Sequence, residues 1–411
     1  MRNAIELDFH VPEPPARPGE TPDFSYMKIP KAGELKRPPV SAPAEDIRNL
    51  AYDLVRVLDD DHRAVGAWKP AISAELMLQG LRSMLLTRYY DARMLASHRQ
   101  GKTSFYIPST GEEAVSVGGA LALSNDDMCF TAGRQQGVLI ARGWPLVDMM
   151  CQIFCNRADR MKGRQLPIMY SAKESSFFSI SGNLCTQYIQ AVGWAMASAY
   201  SRDSRIAAAW VGEGATAEGD FHYAMTFASI YQAPVVLNVV NNQWAISSFQ
   251  AFAGGERTTF AARAIGYGVP GIRVDGNDFL AVYAATQWAA ERASANLGPT
   301  LIENVTYRVA PHSTSDDPSR YRPKDEAASW PLGDPIERLK LHLIQQGQWS
   351  EERHAALEKE VQEFVREAAR EAEAQGTLDQ GAHPPPETMF EDVFKEMPQH
   401  LRRQQQQVAQ S

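Results

Sequence analysis

The sequence predicts an α/β protein built on an open, mostly parallel sheet with helices on both faces. Two observations carry that expectation. The stretch from Ile206 to Ser247, IAAAWVGEGATAEGDFHYAMTFASIYQAPVVLNVVNNQWAIS, reads as strand, tight turn, helix and strand, and so short a crossover makes a parallel, right-handed unit. Strand-like and helical runs then keep alternating, with a strand at Gly271 to Val274, a helix from Phe279 to Asn296 and a strand from Thr300 to Thr306.

Length and charge bound what such a fold can do. The chain has 411 residues and a net charge of −8, with 41 Lys and Arg against 49 Asp and Glu, and no basic block. It has ample material for a core and no electrostatic footprint for nucleic acid. Residues 175–201 carry no charge, but Ser, Asn, Thr and Gln interrupt them and Gly182-Asn183 breaks them, so they read as a loop and a core helix, not a membrane span. The N-terminus, MRNAIELDFHVPEPP, has acids and prolines where a signal peptide would need an apolar run, so a cytoplasmic location is expected. Four cysteines, Cys129, Cys151, Cys155 and Cys185, are too few for a disulfide framework, and Cys151 and Cys155 lack a nearby His to make a metal site.

Three regions are expected: a Pro-rich arm over 1–45, a main body over 46–375 and an extension over 376–411. The arm is too polar for a core of its own but can drape over a partner. Ser73 and Gly101 bracket a long amphipathic helix with Leu78, Leu81, Leu85 and Tyr89 at helical spacing. Gly111-Glu112-Glu113 opens a helix of small residues, Cys129 to Thr131 is a brief strand, and Val138 to Phe154 a further helix. Arg134 between them is a cation in a turn, suited to a phosphate or else simply solvated. Ile180 to Gln190 leads through a Gly-Asn turn into a helix ending near Tyr200, which could bring Leu184 to a ligand. A helix is expected near Thr259 to Ile265. Residues 307–326 are too polar for core, and as a long loop leaving a strand end they bring His312 to the same sheet edge. That His could be a ligand-facing donor, tunable near neutral pH. Helices over Ile336 to Gln346 and Glu351 to Glu373 close the body. Phe390, Val393, Phe394 and Leu401 are more apolar than a free tail needs, and suit docking on another subunit.

The chemistry concentrates where the two strands of the central unit end. Glu213 follows the first and Asn242 the second, 29 positions on. Gly212 and Gly214 flank the carboxylate and let backbone approach a ligand, and Ala215 to Gly219 leads into a helix N-terminus that favours phosphate. A Glu213 carboxylate oxygen, the Asn242 amide oxygen, the Trp244 carbonyl, two diphosphate oxygens and a water would complete the shell of a hard divalent cation. A dinucleotide fingerprint fits less well, because its third Gly comes late at Gly219 and the second strand ends in Asn rather than an acid. Gly101 to Thr103 is no phosphate loop, since Ala96 stands where the first Gly belongs. The bland reading of the site is a Gly-rich turn with a solvated Glu.

This Gly-acid-Gly with a distant Asn pair resembles the thiamine-diphosphate signature. Together with TSFYIPSTGEE, IRVDGND, YRVAPHSTSDD and KEMPQHLRRQQ, it is similar to the alpha subunit of the decarboxylating component of 2-oxo acid dehydrogenases, over about Leu76 to the C-terminus. APHSTSDD in place of the HGHSMSDP of pyruvate-specific relatives favours the branched-chain, 2-oxoisovalerate type. The resemblance implies that Glu213, Asn242 and the Trp244 carbonyl bind magnesium, and that Arg134, Gly214, Ala215 and His312 contact the thiamine diphosphate. It implies that Leu184 presses on the bent cofactor and that His312 is a proton donor or charge stabiliser. Ser181, Asn183, Thr186 and Gln187 match a segment that holds potassium in some relatives, with Asn183 replacing a common Pro. Val240 stands in place of an Arg, and Ala132-Gly133 in place of a Gln-Tyr pair, so phosphate binding leans on Arg134 and backbone. Ser313 aligns with a phosphorylation site of mitochondrial relatives.

The implied reaction is oxidative decarboxylation of a branched-chain 2-oxo acid, with the acyl group passed to lipoyl on a partner dihydrolipoyl acyltransferase. The Glu that activates the cofactor in this family lies in a pyrimidine-binding domain for which this chain has no room, so the resemblance implies a beta subunit in an alpha2beta2 heterotetramer. The alternatives are a pyruvate or acetoin dehydrogenase alpha subunit, or a non-catalytic scaffold with the same fold. The intact set of Glu213, Asn242 and His312 speaks against the scaffold.

Overall fold

The computed structural model describes residues 8–410. The first seven residues of the Pro-rich arm lie outside them. Among the described residues the strands are β1 (Leu54–Val55), β2 (Met128–Phe130), β3 (Ala207–Gly212), β4 (Val235–Asn241), β5 (Trp244–Ala245), β6 (Ser248–Phe249), β7 (Gly271–Asp275) and β8 (Thr300–Val305). Six of them form one wholly parallel sheet in the order β1-β7-β8-β4-β3-β2, and β5 and β6 make a small antiparallel hairpin. The expected α/β class is therefore what the chain adopts.

The central strands read as near-continuous apolar runs because both faces are covered. On β3, Ala208 and Trp210 join one cluster with α1 (Ala74–Arg99), α2 (Glu113–Leu121) and α7 (Phe279–Ser294). Ala207, Ala209 and Val211 join another with α5 (Thr186–Tyr200) and α6 (Gly219–Ile230). The small residues of α2 let it lie close: a Cβ on Gly119 would sit 3.1 Å from Trp210 Cζ2. Helix α1 begins at Ser73, whose side chain accepts from Leu76 N at 3.2 Å. It is less amphipathic than expected, since Met77, Leu81, Met84, Tyr90 and Met94 bury it on several sides under α9 (Glu351–Ala374) and α8 (Pro335–Gln345).

Three expectations need correction. The helix expected over Val138 to Phe154 is two, α3 (Gln136–Ala141) and α4 (Leu146–Phe154), because Gly143 takes φ +75° and Pro145 cannot continue a helix. The helix near Thr259 is a run of tight 3₁₀ turns over Ala261–Tyr267. Residues 307–326 are not simply a solvated loop: Tyr307, Arg308, Ser313, Tyr321 and Arg322 are buried, and their polar groups satisfy one another.

The described part of the arm lies against its own chain. Phe24, Met27 and Ile29 pack beside Tyr307 and Trp330, and the carbonyls of Pro38 and Val40 accept from Trp288 and Arg292 of α7. At the other end α10 (Gln399–Val408) buries nothing, and Met389, Val393 and Phe394 are exposed. No helix among the described residues is long and apolar enough to cross a membrane.

Candidate active site at the carboxyl ends of β3 and β4

Parallel pairing of β3 with β4, with Gly212 opposite Val240, delivers the next residues of each strand to one edge. Glu213 is 1 % exposed, and its Oε2 accepts from Asn242 N at 3.4 Å while its Oε1 has no partner. Both residues line a cavity of about 440 Å³. Gly214 keeps that edge tight, because a Cβ there would lie 2.5 Å from Ala245 Cβ in the β5–β6 hairpin. The hairpin turns the Trp244 carbonyl inward, where it accepts from Arg308 Nη1 at 2.9 Å. Asn242 Oδ1 is contacted by Trp244 N at 3.3 Å.

Three loops complete the walls. Arg134, before α3, donates to Pro108 O at 2.5 Å and to His312 O at 3.1 Å, and its Nη2 lies 3.1 Å from His312 Nδ1. Ser181, Asn183 and Leu184 face the cavity from the turn before α5, with Leu184 61 % exposed, and Gln187 joins them from the first turn of the helix. Thr186 stands at the start of α5 without lining the cavity. Gly212, Gly214 and Ala215 line the floor and His312 the opposite wall.

Two residues of the site went unrecognised in the sequence. Glu112 is buried; its Oε1 accepts from Asn242 Nδ2 at 2.6 Å and lies 3.4 Å from Arg134 Nε, and its Oε2 has no partner. Arg308 is fully buried and, besides Trp244, donates to Ile246 O at 2.8 Å and Tyr321 Oη at 2.6 Å. Arg308 had a usable signal, standing just past β8 at the same sheet edge. Glu112 had none, since its partners come from the turn before α3 and from the end of β4.

Electrostatically the site balances two carboxylates against two guanidinium groups. Burial pushes Glu112 and Glu213 up to about 7, Arg134 opposing it for Glu112 and Arg308 for Glu213. Burial, then the charges of Arg134 and Arg308, pushes His312 down to about 3. The expectation of a histidine tunable near neutral pH is thereby corrected: in the free chain the ring is neutral. With guanidinium N–H groups of Arg134 and Arg308 at 3.1 and 3.4 Å from Nδ1, that nitrogen is the acceptor and the proton sits on Nε2, a tautomer assigned from the partners.

The donor set suits a hard cation beside an anion. Two buried carboxylate oxygens without partners border one cavity, and Arg134 and the His312 N–H border it too. No group of three or more His, Cys, Asp or Glu side chains that could hold a metal occurs among the described residues, so an ion here would draw on amide, carbonyl and ligand oxygens as well.

A model of the dehydrogenase E1 component matches residues 81–380. The chain belongs to the dehydrogenase E1 component family. It is thus a 2-oxo acid dehydrogenase chain of a thiamine-diphosphate-dependent family. A second model, the N-terminal part of the 2-oxoisovalerate dehydrogenase E1 alpha subunit, matches residues 5–45. Among relatives, a 2-oxoisovalerate dehydrogenase subunit alpha of Pseudomonas aeruginosa is 61% identical over 408 residues, covering 99% of this chain and 100% of that protein. The mitochondrial human protein of that name is 41% identical over 360 residues (87% of this chain, 79% of that one). Subunit alpha 1 of Arabidopsis thaliana is 36% identical over 389 residues (93% and 79%). The E1 relationship thus spans both the arm and the sheet.

Proposed function

We propose that this E1 chain is the alpha subunit of a 2-oxoisovalerate dehydrogenase and binds thiamine diphosphate through magnesium at the ends of β3 and β4. The carrying observation is the buried, unpartnered Oε1 of Glu213 beside Asn242. Glu213, the Asn242 amide oxygen and the free lone pair of the Trp244 carbonyl would hold the ion. Arg134, the backbone at Gly214 and Ala215, and His312 Nε2–H would hold the diphosphate, with Gly212 leaving room for it. Ser181, Asn183, Thr186 and Gln187 offer oxygens for potassium; Gln187 Nε2 donates to Ser181 O at 3.1 Å, which leaves its amide oxygen free.

Bound there, thiamine diphosphate supplies the nucleophilic carbon and electron sink for loss of carbon dioxide from a 2-oxo acid. The chain's own residues bind, orient and exclude water. Leu184 offers an apolar surface to the cofactor's bend. His312, whose ring is neutral in the free chain, is placed to donate one hydrogen bond from Nε2–H beside Arg134 and Arg308. Arg308 fixes the Trp244 and Ile246 carbonyls, and so the hairpin that roofs the ion.

The reading includes a beta subunit in an alpha2beta2 assembly and a lipoyl-bearing acyltransferase as acyl acceptor. Exposed Leu184, Ile246 and the apolar C-terminal extension support a partner surface. Four free cysteines suit a reducing cytoplasm. With magnesium and thiamine diphosphate, 3-methyl-2-oxobutanoate should release carbon dioxide only once the beta subunit is added. The assembled enzyme should prefer the branched acid over pyruvate in kcat/KM by more than about tenfold, beyond what one or two methylenes supply in an apolar pocket. Turnover by the chain alone, or equal use of pyruvate, would contradict the assignment.

A further inference from the structure

Side-chain amides have two chemically different ends, and a metal ligand is useful only when its oxygen faces the ion. Something must therefore decide which way the Asn242 amide points. Its own strand does not: the end of β4 fixes the backbone, and Trp244 N reaches Oδ1 only at 3.3 Å. The strongest contact of the amide is instead at its nitrogen end, where Nδ2 donates to Glu112 Oε1 at 2.6 Å. Oε1 also faces a guanidinium N–H, Arg134 Nε at 3.4 Å, and so serves as an acceptor, which turns the nitrogen end of the amide toward Glu112.

Glu112 is itself held from several directions. Arg134 Nε lies 3.4 Å from the same Oε1. Gly111, at φ +100°, brings the segment against the loop after β8 so closely that a Cβ would fall 2.2 Å from Tyr307 O. Glu113 Oε2 accepts from Gly111 N at 2.9 Å and ties that turn to the start of α2. The second oxygen of Glu112 stays without a partner at the cavity wall.

Resting on the magnesium reading given above, we infer that Glu112 is a positioning residue for the ion site: it fixes the Asn242 amide with its oxygen toward the cation, and it couples that ligand to the phosphate-facing Arg134. What matters in this role is an acceptor at Oε1, more than the charge. In E112Q the glutamine oxygen would be drawn to the same two donors, Asn242 Nδ2 and Arg134 Nε, and the amide would keep its orientation. In E112A only the longer contact from Trp244 N to Oδ1, at 3.3 Å, would distinguish the two ends of Asn242.

The test uses the full chain assembled with its partner subunit, with Mn²⁺ as the probe in the presence of thiamine diphosphate, and free Mn²⁺ read by electron paramagnetic resonance. E112A should weaken Mn²⁺ binding by about 10–100-fold, the usual effect of losing an outer partner of a ligand. E112Q should stay within about threefold of wild type, because the acceptor is retained. Should E112A fail to assemble, E112M keeps the volume, removes the acceptor and is expected to show the same loss. Wild-type Mn²⁺ affinity in E112A or E112M, or E112Q binding as weakly as they do, would overturn the inference. E213Q is the control: undiminished Mn²⁺ binding there would remove the ion site itself, and this role with it.

Discussion

His312 draws its charge state from its neighbours. Desolvation and two guanidinium groups lower its pKa from 6.5 to about 3. A base with a depressed folded pKa contributes stability that is complete above the unfolded value and is lost as pH falls toward the folded one. The stability of wild type minus that of H312N, from urea titrations, should therefore decline as pH drops below 6.5 toward 3; a flat difference would contradict the placement between Arg134 and Arg308. Arg308 has no exposed surface and four acceptors around it, so R308M should leave the buried Trp244 carbonyl without its donor and remove those to Ile246 O and to Tyr321 Oη, which keeps its own bond to Asp316. A loss of about 3 kcal/mol is expected in chemical denaturation, and a change under 1 kcal/mol would refute its structural weight.

Among the elements, Asp91 of α1 shows how the site is braced from behind. Its buried carboxylate accepts from Tyr106 Oη at 2.7 Å, Ser109 N at 2.7 Å, Ser109 Oγ at 2.9 Å, Thr110 Oγ1 at 3.2 Å and Gln136 Nε2 at 2.9 Å. The segment so held carries the Pro108 carbonyl that anchors Arg134, and Tyr106 pairs with Thr314 beside His312. D91N turns one acceptor into a donor facing donors, and should cost about 3 kcal/mol of stability and weaken diphosphate binding. Unchanged melting and unchanged cofactor affinity would refute the bracing role. The β3-α6-β4 unit was legible in the sequence because its apolar runs are nearly continuous, broken only by Asn238 in β4, and its turn residues include Gly and Pro. Residues 307–326 were not, since Arg308, Tyr321 and Arg322 look polar in isolation and are buried only because they satisfy one another. The break between α3 and α4 was visible at Gly143 and Pro145 but was outweighed by the apolar pattern on either side.

For the whole molecule, the parallel sheet with both faces covered followed from alternation of strands and helices, and Glu213 and Asn242 were legible as the ends of two adjacent strands. Of the cage around them, Arg134 was legible as a cation in a turn, whereas Glu112 and Arg308 went unrecognised because they come from two separate connections. The C-terminal extension is different again: α10 has no buried residue, and Val393 and Phe394 stand exposed. Removing residues 385–411 should leave the melting of the isolated chain nearly unchanged while weakening assembly with the partner subunit in sedimentation. Loss of the isolated fold, or undiminished assembly, would contradict the docking role.

The central claim is that one divalent cation is shared by the ends of β3 and β4. Crystals of the assembled enzyme grown with Mn²⁺ and thiamine diphosphate would test it through the anomalous difference map. The account requires one peak at bonding distance, about 2.0–2.3 Å, from both the Glu213 carboxylate and the Asn242 amide oxygen. A bound diphosphate with its metal peak elsewhere, or with none, would contradict it.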